Sequence, residues 1–102
     1  MPRILIIEDE DIIRGSMRRL LERNGFDVSD ARSLEEAGAA HRFGDFDLII
    51  CDLRLPGAPG TDAIALAKGV PVIIMTSYAS IRSAVEAMKE GAVDYLAKPF
   101  DH

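Results

Sequence analysis

The sequence predicts an α/β domain with a doubly wound parallel sheet. Apolar runs of strand length alternate with segments whose apolar residues recur at helical spacing, and the connections between them are short. The strand-length runs are apolar at successive positions, which is typical of strands buried on both faces. This alternation indicates parallel strands joined by right-handed helical crossovers, with helices on both faces of the sheet.

Composition and charge indicate a single globular domain over residues 1–102. Hydrophobic residues make up 48% of the chain, and 12 basic against 17 acidic residues give a net charge of −5. This balance argues against binding of nucleic acid through its phosphates and suits a bound cation. The single cysteine, Cys51, excludes an internal disulfide and lies in the most apolar run, so we expect it in the core. No apolar segment is long enough for a membrane span or a signal peptide, and we expect a cytoplasmic protein.

The first predicted strand, Ile4 to Ile7, runs into four consecutive acids, Glu8 to Asp11. The following segment has apolar residues at helical spacing and closes at Asn24-Gly25, which predicts an amphipathic first helix. The helix dipole favours acids in the first turn and accounts for the last two of the four. It does not account for Glu8 and Asp9, which lie where the strand ends.

A second strand is predicted over Phe26 to Ala31, and Ser33 opens a second helix with a Ser-x-x-Glu capping box. This helix ends by Gly44. The third strand contains four apolar residues after Asp47 and stops on Asp52. Ligands of open α/β sheets bind where the strands end, although an Asp at this position is also common at the start of a turn.

The second half of the chain continues the alternation of helices and strands. The predicted elements are a helix over Thr61 to Lys68, a strand over Val70 to Met75, a helix capped by Ser80 and closed by Gly91, and a strand over Asp94 to Ala97. Thr76 and Lys98 follow these two strands directly.

Side chains that can bind a cation or take part in catalysis therefore follow four of the five predicted strands. A parallel sheet brings its strand ends to one edge, where Glu8, Asp9, Asp52, Thr76 and Lys98 are expected to meet. Crowded carboxylates repel one another unless a cation lies among them, and a cation with oxygen ligands such as Mg²⁺ fits. A hydroxyl and an ammonium beside a carboxylate nucleophile are what an incoming phosphoryl group needs.

This ordered set resembles the receiver domain of bacterial two-component response regulators over essentially the whole chain. The segments that carry the resemblance are Ile4 to Glu10, Leu48 to Gly57, Ile73 to Ser77 and Gly91 to Phe100. It implies a flavodoxin-like (βα)5 fold with strand order 2-1-3-4-5. The fifth helix would be missing, since the chain stops at His102, and we expect either a truncated receiver domain or cover supplied by another chain.

The resemblance also implies the chemistry of the site. Asp52 would accept a phosphoryl group from the phosphohistidine of a sensor histidine kinase. Asp9, Asp52 and the Arg54 carbonyl would hold Mg²⁺, and Glu8 would act mainly through metal-bound water. Such a domain is a phosphoacceptor that slowly dephosphorylates itself, not a conventional enzyme.

By the same resemblance, the last two strands supply the residues that respond to phosphorylation. Thr76 and Lys98 would bind the phosphoryl oxygens, and Tyr95 would move inward as Thr76 closes on the phosphate. The Lys98-Pro99 peptide would be cis.

Two bulky residues, Arg54 and Tyr78, occupy positions that flank the path of hydrolytic water in the family. Our hypothesis is slow autodephosphorylation, because Tyr78 can shield the phosphoryl group from water. The alternative, that both are ordinary exposed loop residues, stays open.

Within the family, Ala84 to Ala92 and Asp94 to Leu96 look most like the receivers of NtrC-type enhancer-binding transcription activators. This implies a longer natural protein whose ATPase and DNA-binding domains regulate transcription and lie outside this chain. The family also suggests a homodimer through the face formed by the fourth helix and the fifth strand. We expect no direct contact of this domain with nucleic acid or membrane.

Two other classes of protein compete with this interpretation. Haloacid-dehalogenase-type phosphatases also combine an Asp nucleophile, a Thr or Ser, a Lys and Mg²⁺ on an α/β sheet. They need a second Asp two residues after the nucleophile, where this chain has Arg54, and a cap region for which there is no room. A pseudo-receiver, or a flavodoxin-like binding module that never takes phosphate, is the other alternative. No Gly-rich phosphate loop follows the first strand, which weakens nucleotide or flavin binding.

Overall fold

The computed structural model describes residues 1–98, so the predicted cis peptide at Lys98-Pro99 lies outside the described residues. In chain order the elements are β1 (Arg3–Ile7), α1 (Asp11–Arg23), β2 (Asp27–Ala31), α2 (Leu34–Ala40), a 3₁₀ turn (Phe43–Asp45), β3 (Leu48–Asp52), β4 (Arg54–Leu55), β5 (Ala58–Pro59), α3 (Asp62–Ala67), β6 (Val72–Thr76), α4 (Ile81–Glu90) and β7 (Asp94–Ala97).

Five parallel strands form the main sheet in the order β2-β1-β3-β6-β7. Counted within this sheet alone, β6 and β7 are the fourth and fifth strands, so the predicted doubly wound fold and its 2-1-3-4-5 order are confirmed. The register pairs Asp52 with Met75 and Thr76 with Ala97. The carboxyl ends of the central strands therefore lie level with one another.

Successive residues of the central strands pack on opposite faces of the sheet, as the two-residue period of a strand requires. One face joins Leu5, Ile49 and Ile74 to buried residues of α2, α3 and α4. The opposite face joins Ile6 and Ile50 to residues of α1. Both faces of the sheet thus contribute to the core, which explains why the strands are apolar at successive positions.

Two helices begin as the capping signals predict. The Ser33 hydroxyl accepts a hydrogen bond from the Glu36 N–H at 3.0 Å, and the Ser80 hydroxyl accepts one from the Ser83 N–H at 3.1 Å. The second half of the capping box differs from the usual form, because Glu36 accepts from the N–H of Arg32 rather than from Ser33. The carboxylate therefore ties the end of β2 to the start of α2.

The segment between β3 and α3 differs from what its sequence favours. Its Pro- and Gly-rich run, Pro56 to Gly60, is typical of a loop, and the structure places the short antiparallel pair of β4 and β5 there. The following helix is also shorter than predicted, since Thr61 precedes it and Lys68 ends it in the left-handed conformation with φ 48°. None of the helices within residues 1–98 is long and apolar enough to cross a membrane.

Candidate functional site

A cavity of about 330 Å³ opens at the carboxyl edge of the sheet. It lies over the ends of β1, β3 and β6 and is lined by Asp9, Glu10, Asp52, Arg54, Thr76, Ser77, Tyr78 and Lys98. Most of the predicted site residues meet here. Of the others, Glu8 reaches the same cluster from within the core, and Tyr95 lies elsewhere.

The Lys98 ammonium lies at the centre of the acidic cluster. Its Nζ is 2.9 Å from Glu8 Oε1, 2.9 Å from Asp52 Oδ2 and 2.9 Å from Glu10 Oε1, and its side chain is 6% exposed. Burial opposes the positive charge, but the Glu8, Asp52 and Glu10 carboxylates outweigh it and raise the pKa of Lys98. The ammonium therefore stays charged and neutralises part of the cluster.

Glu8 is a fully buried carboxylate at the end of β1. Its Oε2 accepts a hydrogen bond from the Glu10 N–H at 2.9 Å. Its Oε1 contacts Lys98 at ion-pair distance, yet within residues 1–98 no donor reaches it in hydrogen-bond geometry. Burial raises the pKa of Glu8, although the Glu10 N–H and Lys98 oppose this effect. An acceptor oxygen directed into the cluster is thus left for a further positive group.

Asp52 ends β3 with 4% of its surface exposed. One carboxylate oxygen accepts from Lys98, and the other accepts from the Arg54 N–H at 3.3 Å. Both oxygens belong to a side chain that lines the cavity. The carboxylate is therefore oriented by its neighbours and accessible from the cavity.

The backbone of Asp52 is held from behind by Gly60, which the sequence analysis did not single out. A Cβ at Gly60 would lie 1.8 Å from the Asp52 carbonyl oxygen, so no side chain fits there. The Gly60 N–H donates to the Leu53 carbonyl at 2.8 Å. Beside them the Cys51 thiol is fully buried, and its burial, with the nearby charges of Asp52 and Glu8, raises its pKa.

Thr76 and the aromatic residue two positions later form the opposite wall of the cavity. The Thr76 hydroxyl is buried and accepts a hydrogen bond from the Tyr78 N–H at 3.0 Å. The Arg54 guanidinium stacks over the Tyr78 ring, 4.9 Å from its centroid. These two side chains, which the sequence analysis named together as flanking the path of hydrolytic water, form one stacked pair at the cavity.

Tyr95 lies on β7 outside the cavity. Its hydroxyl forms a hydrogen bond with Ser83 of α4, and the Ser83 hydroxyl contacts Ser80 at the start of that helix. Ser83 was not predicted. Its i, i+3 spacing from the capping Ser80 is the one sequence signal that could have pointed to it.

Glu10 makes a contact with Lys98 that the sequence analysis did not predict. The helix dipole was taken to explain this acid, and Glu10 does occupy the N-cap position of α1, but its side chain makes no capping hydrogen bond and contacts Lys98 instead. The periodicity of a sequence does not predict the direction in which such a side chain points.

The carboxylates fit a divalent cation with oxygen ligands. Ligand oxygens of Glu8, Glu10 and Asp52 lie within 4.8 Å of one another, and such oxygens are what Mg²⁺ and Ca²⁺ prefer. Asp9, the predicted direct ligand, lines the cavity but is not part of this group of three.

Comparison with known sequences agrees with the geometry. Residues 4–102 match the response regulator receiver domain family. The chain is 39% identical to the transcriptional regulatory protein ZraR of Escherichia coli (strain K12), over 96% of this chain and 23% of that protein. It is 38% identical to the regulatory protein AtoC of the same organism, over 97% of this chain and 22% of that protein. The chain therefore spans less than a quarter of the length of these curated relatives.

Solved structures support the same assignment. The beryllofluoride-activated NtrC4 receiver domain dimer is 33% identical with a TM-score of 0.88, over 99% of this chain and 87% of that one. A response regulator of Burkholderia pseudomallei, determined with a phosphorylated aspartic acid, a calcium ion and citrate, is 36% identical with a TM-score of 0.83, over 99% of this chain and 62% of that one. From its matched segments, its strand order and its relatives, this chain belongs to the response regulator receiver domain family.

Proposed function

We propose that this domain is a phosphorylation-activated signalling switch in which Asp52 accepts a phosphoryl group from a sensor histidine kinase. The observation that carries the proposal is the position of Asp52. Its buried carboxylate ends the central strand, contacts Lys98 at 2.9 Å and shares one cavity with Thr76. A carboxylate nucleophile next to fixed cationic and hydroxyl donors suits phosphoryl transfer.

In the proposed reaction, an Asp52 oxygen attacks phosphorus while the bond from phosphorus to the donor's imidazole nitrogen breaks, and the electron pair of that bond stays on the nitrogen. Lys98 donates to one phosphoryl oxygen. Because Thr76 Oγ1 already accepts from the Tyr78 N–H, its own proton is available for another phosphoryl oxygen.

The residues that would hold Mg²⁺ are Glu8, Asp9, Asp52 and the Arg54 carbonyl, and Glu10 is close enough to join them. Bound there, Mg²⁺ would supply charge neutralisation at the phosphoryl oxygens. The crowding of buried carboxylates supports this assignment.

The output of the switch is proposed from the family and from the surface of α4. Thr76 would turn toward the phosphoryl group, and Tyr95 would leave Ser83 and move inward. An exposed apolar stripe of Ile81, Val85 and Met88 supports a homodimer through α4 and β7. We propose transcription regulation through domains outside this chain, in the cytoplasm, without direct contact of this domain with nucleic acid.

The stacked pair of Arg54 and Tyr78 supports slow autodephosphorylation. A ring held beside the cavity by a guanidinium can exclude hydrolytic water from the phosphoryl group. The domain would then act as a phosphoacceptor with a long-lived signal, not as a conventional enzyme.

The direct test is incubation with Mg²⁺ and acetyl phosphate, followed by measurement of intact mass. We expect one phosphoryl adduct, absent without Mg²⁺ and absent in Asp52→Asn. No adduct on a wild-type sample with a folded circular dichroism spectrum would contradict the proposal and favour an interaction module that is not phosphorylated.

A further inference from the structure

Three carboxylate oxygens surround the Lys98 ammonium in this structure. Glu10 Oε1 and Asp52 Oδ2 accept hydrogen bonds from Nζ at 2.9 Å, and Glu8 Oε1 lies 2.9 Å away as an ion-pair partner outside hydrogen-bond geometry. A phosphoryl oxygen needs a place beside the same ammonium. It therefore competes with these carboxylates for contact with Lys98.

The three carboxylates differ in how easily they can be released. The side chains of Glu8 and Asp52 are 0% and 6% exposed, so either of them would lose its cation in a buried position. Leaving a buried charge without a partner is strongly unfavourable. Glu10 is 55% exposed, and water can replace Lys98 as its partner. Of the three carboxylates, Glu10 therefore loses the least free energy when its contact with Lys98 is broken.

The backbone holds Glu10 in this position. Its N–H donates to Glu8 Oε2 at 2.9 Å, which fixes the turn between β1 and α1, and its side chain lines the same cavity as Asp52. The acid that follows Glu10 contacts other residues: Asp11 pairs with Arg14 at 2.6 Å and lies 3.9 Å from Arg32. Of these two neighbouring acids, only Glu10 contacts the lysine.

We propose that Glu10 is an internal competitor for the phosphoryl group: its carboxylate oxygen occupies, on Lys98, the place that a phosphoryl oxygen takes after transfer. This inference rests on the proposed function of the site. Glu10 then keeps Lys98 positioned in the unphosphorylated domain and opposes the phosphorylated form until it is displaced.

The test is the affinity for beryllofluoride, an analogue of the phosphoryl group, at saturating Mg²⁺. For Glu10→Gln, which keeps size and shape but removes the charge, we expect binding about two- to fivefold tighter, the range of a partly exposed ion pair.

The matched control is Asp11→Asn, which removes one negative charge from the neighbouring position without touching Lys98. We expect no tightening in this variant. Partial unfolding cannot produce a gain in affinity, so a structural defect cannot imitate the result.

Equal or weaker binding by Glu10→Gln would overturn the inference. So would equal tightening in Asp11→Asn, because the cause would then be general repulsion of the anion. Acetyl phosphate kinetics at saturating Mg²⁺ give a second readout, in which the donor concentration at half-maximal rate should fall in Glu10→Gln. Wild-type protein that neither binds beryllofluoride nor gains a phosphoryl mass would contradict the proposed function itself, whereas wild-type binding that Glu10→Gln leaves unchanged would contradict only the role of Glu10.

Discussion

The charge on Lys98 contributes to stability in a way that depends on pH. Its carboxylate partners raise its pKa above the ordinary value of 10.5 despite burial. A lysine whose pKa is raised in the folded state contributes stability that is complete below the unfolded value. That stability is lost as pH rises through the folded value.

We therefore expect the free energy of unfolding of the wild-type domain to fall above pH 10.5, beyond what its other groups cause. Lys98→Met should be less stable at neutral pH, because Glu8 and Asp52 lose their cation, but its stability should fall less steeply in the alkaline range. Urea unfolding at a series of pH values measures both slopes. Parallel slopes in the two proteins would show that Lys98 is not the group responsible.

The ring of Tyr78 gives a second prediction at the scale of one residue. If the ring excludes water from the phosphoryl group, Tyr78→Ala should shorten the phosphoryl half-life by about two- to tenfold, which is roughly 0.4–1.4 kcal/mol in the barrier. Tyr78→Phe keeps the ring and its stacking on Arg54 and should keep the half-life. Loss of labelled phosphate over time measures all three proteins, and an unchanged half-life in Tyr78→Ala would refute the shielding role.

At the scale of elements, the β4–β5 hairpin brings Gly60 against the backbone of Asp52, the proposed phosphoacceptor. Gly60→Ala places a methyl group 1.8 Å from the Asp52 carbonyl oxygen, and backbone must move to relieve the clash. We expect a loss of about 1–3 kcal/mol in the free energy of unfolding, the usual effect of overpacking. Phosphorylation by acetyl phosphate should slow as well, since the displaced backbone carries Asp52.

The control for this substitution is Gly38→Ala within α2. A Cβ there meets nothing within 4 Å, and alanine is the better helix former. We expect about 0.5–1 kcal/mol of added stability and unchanged phosphorylation. Thermal unfolding of both variants checks the opposite signs, and comparable losses in both would argue against a special role of Gly60.

The elements also show where sequence patterns stop being informative. Buried strands and capped helices have local signals, so the end of β3 at Asp52 and the caps at Ser33 and Ser80 were predicted correctly. The end of β6 at Thr76 lies one residue beyond the predicted Met75. The two-residue strands β4 and β5 are too short to show any period. Gly60 follows them and lies close to the Asp52 carbonyl of β3, a tertiary contact that sequence periodicity does not predict.

Sequence patterns also predict only part of the site. The predicted strand order was enough to place Asp52, Thr76 and Lys98 at one edge of the sheet, and in the structure all three line one cavity. The side-chain directions of Glu10 and Ser83 depend on partners far away in sequence, Lys98 and Tyr95. Their contacts could therefore be found only in three dimensions.

For the molecule as a whole, a cation bound at the proposed site in the acidic cluster would link stability to divalent cations. A ligand that binds only the folded state stabilises it by about 2.7 kcal/mol at a hundredfold excess over its dissociation constant. For a domain of this size, each kcal/mol raises the melting temperature by roughly 4–8 °C. We expect MgCl₂ to raise the melting temperature beyond NaCl at the same ionic strength.

Calorimetric unfolding of wild-type protein and Asp52→Asn checks this expectation. The variant lacks one of the three carboxylates whose oxygens lie within 4.8 Å, so the specific effect of Mg²⁺ should shrink strongly. An identical rise in both proteins would place the cation at another part of the acidic surface.

The fully buried Cys51 has a practical consequence for testing the proposed switch. It is the only cysteine in the chain, and burial raises its pKa, so the reactive thiolate is scarce in the folded domain. A cysteine introduced on the surface of α4 would therefore take up a spin label or fluorophore selectively while the native residue stays in place. Movements of that helix could then be followed in the otherwise unaltered protein, with its core packing intact.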